Sequence, residues 1–307
     1  RNMKIAVPDL ISNSYFPVPA AVELGFFEKE GLDMSYELVF PVDDANKAMR
    51  DGAFDFVGGS AHSTLAAFPE WDGAKLVCAL SQGMYWLLVA RTDLNIELGD
   101  TDALKGLNIG AAPWVDLGLK RLLTEAGLDP EKDLNIAPVP GTIVPGVSFG
   151  VTAAKALEEG KIDAFWANGM GAEVAVTRGV GTVVLDPRRG VGPAASFNYT
   201  QPALATTQKM IDDNPDTVAA AVRAIVNVQK ALKADISLAT EVARKSFPEA
   251  ETALIAQVVE RDLGFYDASI SPEFVTGMNA FSRDMGLMTG DPAFEDVVAT
   301  QFSDLWK

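Results

Sequence analysis

Cysteine and histidine are almost missing from this chain: 307 residues hold one of each. A Cys/His zinc site needs four such ligands, so that class of metal centre is excluded. Cys78 sits inside the apolar run 76–80 and reads as a buried small hydrophobe. Basic residues are also scarce, 25 Lys+Arg against 42 Asp+Glu, for a net charge of −17. That balance keeps a protein soluble and argues against nucleic acid or an anionic membrane surface as partner. No apolar run reaches the roughly 18 residues of a membrane span. A signal-peptide pattern is absent too, and Arg1-Asn2-Met3 leads straight into the strand-like Lys4-Ile5-Ala6-Val7. The chain is expected to be either cytoplasmic or a mature form trimmed of its leader, and a start on Arg favours trimming. No Walker-type loop or His-Glu-x-x-His pattern occurs. A nucleophile–His–acid triad would have to use His62, and no serine or acid is placed in the sequence to join it.

What the chain does have is a duplicated unit. Asn46 to Ser63, NKAMRDGAFDFVGGSAHS, is answered by Ala154 to Gly171, AKALEEGKIDAFWANGMG. Lys47 and Lys155, Gly52 and Gly160, Asp55 and Asp163 all stand at one offset of 108 residues. Each copy reads as the end of an amphipathic helix, a glycine able to take positive φ, and a short apolar strand. Each strand runs into small and polar residues where an open α/β sheet offers backbone N–H groups to a ligand. Two such ends predict two lobes facing one another across a cleft. The bland alternative is a chance recurrence of helix-Gly-strand grammar.

The remaining pattern is α/β followed by α. Met34, Tyr36 and Leu38 alternate with Ser35 and Glu37 in strand period. A helix is expected over 60–68, and Trp86 to Ala90 reads as a strand leaving lobe one. Leu107 to Gly110 opens a new βα unit whose helix, over 116–126, carries Leu119, Leu122 and Leu123 on one face. Pro187 to Pro202, with Gly190, Gly192 and Pro193, reads as irregular backbone where the chain recrosses. From Thr206 onward the pattern is helical: Asn214-Pro215 forms a cap with proline at the first helical position, and Val218, Val222, Ile225 and Leu232 make a stripe. A tail this long is expected to pack on lobe one. The expected fold is α/β with two lobes, each a mixed sheet flanked by helices. Lobe one spans 1–90 and 196–307, lobe two 91–195, with crossings near 88–92 and 193–203.

Several stretches carry a family resemblance: PAAVELGFFEKEGL (19–32), KAMRDGAFDFVGGS (47–60), LKGLNIGAAPWVDLGLKRLLTEAGL (104–128) and KALEEGKIDAFW (155–166). In that order the chain resembles the solute-binding proteins of ABC importers of the sulfonate, nitrate and thiamin-precursor kind, with the type II periplasmic-binding-protein fold. The resemblance implies a monomeric, extracytoplasmic receptor that closes on a small molecule and delivers it to a membrane permease, without cofactor or metal. It also implies four ligand lips: Asn13, Ser14 and Tyr15 after the first strand; Ser60, Ala61 and His62; Ala112 to Asp116; and Trp166 with Asn168. The third lip departs from the family's anion-binding pattern. Pro113 removes a donor, Trp114 adds a flat apolar face, and Asp116 would repel an anion. The expected ligand is therefore a planar aromatic or heteroaromatic molecule rather than a sulfonate, nitrate or phosphate.

Individual residues keep two readings each. Trp114 and Trp166 are either stacking platforms or rim and core packing. Tyr15, Tyr85 and Tyr199 could close an aromatic pocket, or Tyr199 could brace the recrossing. His62 reads as a donor to a ligand oxygen or as a hydrogen-bonded structural residue. Ser60 and Asn168 are the best neutral hydrogen-bonding candidates, with Thr142 beside them on the loop before the second repeat. Asp116 is read as the helix N-cap, or else as a partner for an N–H on the ligand. Arg188 and Arg189 are placed on a surface loop. An alternative function is an enzyme of the same fold, a lyase or a relative of the thiamin pyrimidine synthase, acting on a small cyclic acid or heterocycle. That synthase, however, depends on a cysteine-rich segment that this chain lacks.

Overall fold

The computed structural model describes residues 2–144 and 146–307. Among the described residues ten strands form: β1 (Asn2–Val7), β2 (Asp33–Leu38), β3 (Phe56–Ser60), β4 (Ala74–Ala79), β5 (Trp86–Arg91), β6 (Asn108–Ala111), β7 (Asn135–Ala137), β8 (Ala164–Asn168), β9 (Gly181–Leu185) and β10 (Pro202–Thr207). The helices positioned between and after them are α1 (Pro17–Glu23), α2 (Phe26–Lys29), α3 (Val42–Arg50), α4 (Asp116–Glu125), α5 (Phe149–Glu158), α6 (Gly169–Thr177), α7 (Gln208–Asp213), α8 (Pro215–Ala234), α9 (Ser237–Ala243), α10 (Glu249–Asp262), α11 (Pro272–Asp284) and α12 (Phe294–Val297). Two compact units result, Arg1–Gly83 with Asn198–Lys307, and Met84–Phe197.

Both sheets follow one plan. The first runs β2-β1-β3-β10-β4 and the second β7-β6-β8-β5-β9. In each, three parallel strands are followed by one antiparallel strand, β10 beside β3 and β5 beside β8. The duplicated motif occupies the same place in both, α3 to β3 and α5 to β8. Gly52 (φ 89°) and Gly160 (φ 71°) turn the chain between helix and strand in the left-handed region that favours glycine. The aspartates do one job in both copies. Asp55 Oδ2 accepts from the Lys4 amide at 2.9 Å, and Asp163 Oδ2 accepts from the Asn108 amide at 2.8 Å. Each thereby ties the entry of its strand to the neighbouring parallel strand.

Three elements differ from expectation. Trp86–Arg91 does not leave the first lobe; it pairs with β8 and β9 in the second sheet, where its apolar side chains find a buried position between two strands. Pro202–Thr207 is a strand rather than irregular backbone running into helix, with its proline at the first position where no ladder donor is lost. The helix expected over 60–68 is a 3-10 segment, Ala61–Ala66.

The C-terminal helices pack on the first sheet. Gln229 of α8 donates to the carbonyls of Ala79 (3.2 Å) and Leu80 (2.9 Å), and Trp306 Nε1 donates to Val77 O at 3.0 Å. The stripe Val218, Val222, Ile225 and Leu232 is buried. Asn214 is the N-cap residue of α8, with Pro215 at the first helical position, but its side chain makes no cap hydrogen bond. Cys78 is buried on β4, and burial pushes its thiol up. Among the described residues no helix is long and apolar enough to cross a membrane, and no cluster of His, Cys, Asp and Glu is disposed to hold a metal ion.

Candidate functional site

The carboxyl-terminal edge of the first sheet collects the first two predicted lips. Gly58 and Gly59 of β3 allow helices to approach closely on both faces. A Cβ on Gly58 would meet Val18 of α1 at 3.1 Å, and one on Gly59 would meet Val42 of α3 at 2.9 Å. Helix α1 is thereby seated over the strand end, and the loop that precedes it, 12–16, is buried throughout.

Within that loop Ser12 Oγ accepts from the Ser14 amide at 3.1 Å, and Tyr15 O accepts from the Val18 amide at 3.0 Å. Asn13 donates its side-chain amide to the Asp262 carboxylate, while its carbonyl accepts from the Tyr266 hydroxyl. Ser14 Oγ is buried and makes no hydrogen bond within the protein. Ser60 Oγ, at the end of β3, is in the same condition. Its backbone is held firmly: Ser60 O accepts from Ser63 Oγ at 2.6 Å, and Ser63 Oγ in turn accepts from Asn46 Nδ2 at 3.0 Å. Two buried hydroxyls without a partner on one sheet edge are uncommon in a folded interior, where polar atoms are nearly always satisfied.

His62 is fully buried. Its Nδ1 lies 2.9 Å from Thr200 Oγ1, and its ring stands edge-on to Phe281 at 5.3 Å. Tyr199 stacks on the same Phe281 ring, at 4.8 Å with an interplanar angle of 18°. Neither Thr200 nor Phe281 was signalled by the sequence, because the contact joins segments more than 130 residues apart in the chain.

The second unit arranges its edge differently. Trp166, at the position equivalent to Gly58, is fully buried, and its Nε1 donates to Val115 O at 3.1 Å. It lies 6.4 Å from Trp86, which is 4.4 Å from Tyr85, so three aromatic rings form a tilted series. Helix α4 fits against this bulk through Gly118, where a Cβ would meet Met84 at 3.2 Å and Trp86 at 3.7 Å. Trp86 went unread as a site residue, since an apolar residue opening a strand carries no distinguishing signal.

Asn168 caps α6: its Oδ1 accepts from the amides of Met170 (3.0 Å) and Gly171 (3.3 Å). Thr142 is buried and donates to Val139 O. Trp114 is half-buried and held at φ 70°, a left-handed backbone that is strained for a bulky side chain. Asp116 is the first residue of α4 rather than its N-cap, which is Val115. Burial holds the Asp116 carboxyl above the usual range, against the opposing pull of Lys120 at 3.4 Å and the amides of Leu117 and Trp114. Arg188, expected on a surface loop, is buried in the 3-10 turn Pro187–Arg189, whereas Arg189 is exposed and pairs with Asp186 at 3.3 Å.

A surface hollow of about 610 Å³ flanks the first sheet, lined in part by Arg50, Asp55 and Thr207, at the amino-terminal edge of β3. It is thus at the opposite end of the strand from Ser60.

A sequence model of the NMT1/THI5-like family matches residues 12–235. No curated protein matches the chain. Among solved structures, a protein of Bordetella bronchiseptica RB50 superposes with a TM-score of 0.76 at 23% identity, covering 99% of this chain and 96% of that one. The alkanesulfonate-binding protein SsuA from Xanthomonas axonopodis pv. citri, bound to MOPS, gives 0.72 at 15% identity, with 97% of each chain covered. A cysteine-to-serine mutant of DszB in complex with biphenyl-2-sulfinic acid gives 0.67 at 14% identity, covering 99% and 98%. The same fold therefore occurs in a binding protein and in a protein described elsewhere as a desulfurization enzyme.

Proposed function

The chain belongs to the NMT1/THI5-like family, and on that premise we propose that it is a solute-binding receptor. It takes a small molecule at the carboxyl-terminal edge of its first sheet, outside the cytoplasm and as a monomer, and hands it to the permease of an ABC importer. The observation that carries this reading is the pair Ser14 Oγ and Ser60 Oγ, buried at the edge of the first sheet without a protein partner. Leaving a buried polar group unpaired costs about 1–3 kcal/mol, and a ligand that satisfies both recovers that cost on binding. An alkanesulfonate-binding protein of the same fold supports the receptor class.

The proposed ligand is planar and aromatic or heteroaromatic. Trp114 supports this. A tryptophan held on left-handed backbone stores about 1–3 kcal/mol of strain, of the kind that concentrates at ligand clamps. In this reading Trp114 is the platform, and Trp166 anchors the loop that presents it by holding the carbonyl of the next residue, Val115.

Mass analysis of small molecules released when the purified protein is denatured, followed by a melting-temperature screen of the compounds found, tests the reading. A bound compound recovered unchanged, with a stabilisation of about 2.7 kcal/mol at a hundredfold excess over Kd, is the expected result. Ser14→Ala and Ser60→Ala each weaken that binding by about 1 kcal/mol, roughly fivefold. Conversion of the compound to a product of different mass would replace the receptor with an enzyme.

A further inference from the structure

Asn13 and Asp262 lie 249 residues apart in sequence, and the tail helix α10 brings them into contact. Asp262 accepts from Asn13 Nδ2, while Tyr266, just past the end of that helix, donates to the Asn13 carbonyl. Because Nδ2 is the atom that donates to Asp262, the amide has one orientation: its NH2 faces the carboxylate and its Oδ1 points away. That Oδ1 is buried and receives no hydrogen bond from the protein.

Gln201 is set the opposite way round. Its Oε1 accepts from the Gly83 amide at 3.3 Å, which leaves Nε2 as the outward group, buried and without an acceptor. Gln201 sits at the same sheet edge. Its carbonyl accepts from the Ala61 amide at 2.9 Å, and it immediately precedes Pro202, the register partner of Ser60. The two amides are linked through backbone, since Gln82 N donates to Phe265 O at 2.8 Å, one residue before Tyr266. One edge of the sheet therefore carries a side-chain group that can only accept and another that can only donate, each turned by a partner outside the loops themselves.

We propose that Asp262 is a positioning residue that fixes Asn13 as a hydrogen-bond acceptor, opposite in polarity to Gln201, so that the site selects a neutral planar ligand bearing an N–H donor as well as an acceptor over a fully ionised oxyanion. A sulfonate or carboxylate offers acceptors only; it would satisfy Gln201 Nε2 and leave Asn13 Oδ1 facing negative charge. This inference rests on the receptor reading above.

The test uses matched planar pairs, benzamide against benzenesulfonate and nicotinamide against nicotinate, titrated calorimetrically into the wild-type protein and two variants. The expected wild-type result is at least about tenfold tighter binding of the amide in each pair, the effect of one hydrogen bond to a buried group. In Asp262→Asn the introduced amide can donate to Asn13 Oδ1 and let the side chain turn, so the preference shrinks to about threefold or less. A merely structural role for Asp262 would weaken both members of a pair alike and leave their ratio unchanged. Asn13→Ala, which leaves α10 intact, should abolish the same preference, and it decides the matter if the Asp262 variant does not fold. Wild-type preference for the oxyanions would overturn this inference while leaving the receptor standing, as would an unchanged ratio in Asn13→Ala. Failure of every compound to bind would count against the receptor itself and would take the inference with it.

Discussion

Ser60 and Asn168 occupy one position in two copies of the same strand-to-helix design, 108 residues apart, and their side chains behave oppositely. Asn168 spends its oxygen on the amides of Met170 and Gly171, whereas Ser60 caps nothing and its hydroxyl has no protein partner. The same inversion recurs two residues earlier. In the first unit the strand position is small, Gly58, and helix α1 supplies the bulk; in the second the same position is Trp166, and helix α4 supplies a small residue, Gly118, against Met84 and Trp86. A duplicated backbone has thus been filled in two ways, one leaving hydrogen-bonding groups spare and one consuming them in structure. Ligand-directed polarity should therefore be sought on the first unit, and a rigid aromatic frame on the second.

The most severe way to break this contrast is Trp166→Ala. Removing a fully buried tryptophan costs about 3–5 kcal/mol, and urea denaturation should show that loss in the second unit. Trp166→Phe keeps most of the packing but leaves Val115 O without its donor, and a loss of about 1–2 kcal/mol is expected. If the phenylalanine variant matched the wild type, the anchoring of the 112–115 loop by Nε1 would be refuted.

A sharper comparison sets Asn168→Ala beside Ser60→Ala in the ligand-free protein. Loss of the cap should cost about 1 kcal/mol. Removing a buried hydroxyl that pairs with nothing should cost little or even stabilise, because the folded state then no longer carries an unsatisfied group. Equal losses from the two substitutions, measured by the same denaturation, would erase the proposed difference between the units.

The smallest effect concerns Asp116. Burial raises its folded value, so ionisation is disfavoured in the folded state. Its contribution to stability is complete below the unfolded value of about 3.9 and is lost as pH rises through the elevated folded one. Asp116→Asn should therefore melt above the wild type at pH 7 and converge with it near pH 3. A gap that persisted in acid would mean that lost contacts, not ionisation, govern the residue.

Much of the fold was legible because it is local. Lys-Ala, Gly and Asp at one offset marked both helix-glycine-strand units, and the apolar stripe of α8 reads directly from its spacing. Strand β10 was not legible: Pro-Ala-Leu-Ala has weak strand preference, and it becomes a strand because β3 and β4 present open edges on either side of it. The same held for Trp86–Arg91, whose sheet membership depends on which strands enclose it. At the candidate site, residue types were readable and commitments were not. Ser60, Asn168, Trp166 and His62 all stood out, but whether a polar atom is spent on Met170, Val115 or Thr200, or left spare, depends on partners that folding delivers. Arg188 shows the same limit, since nothing in an Arg-Arg pair distinguishes a buried side chain from an exposed one.

The sequence by itself determined the periodicity of the elements, the duplicated unit, the acidic balance and the family, since each is a matter of residue order or composition. The tertiary structure alone decided which strands share a sheet and which polar atoms remain unpaired. It also gave Asn13 its orientation, through an aspartate 249 residues away. The physical reason is range. Backbone propensity and hydrophobic period act over a few residues, while hydrogen bonds and close packing act on whatever atoms lie within a few ångströms in space.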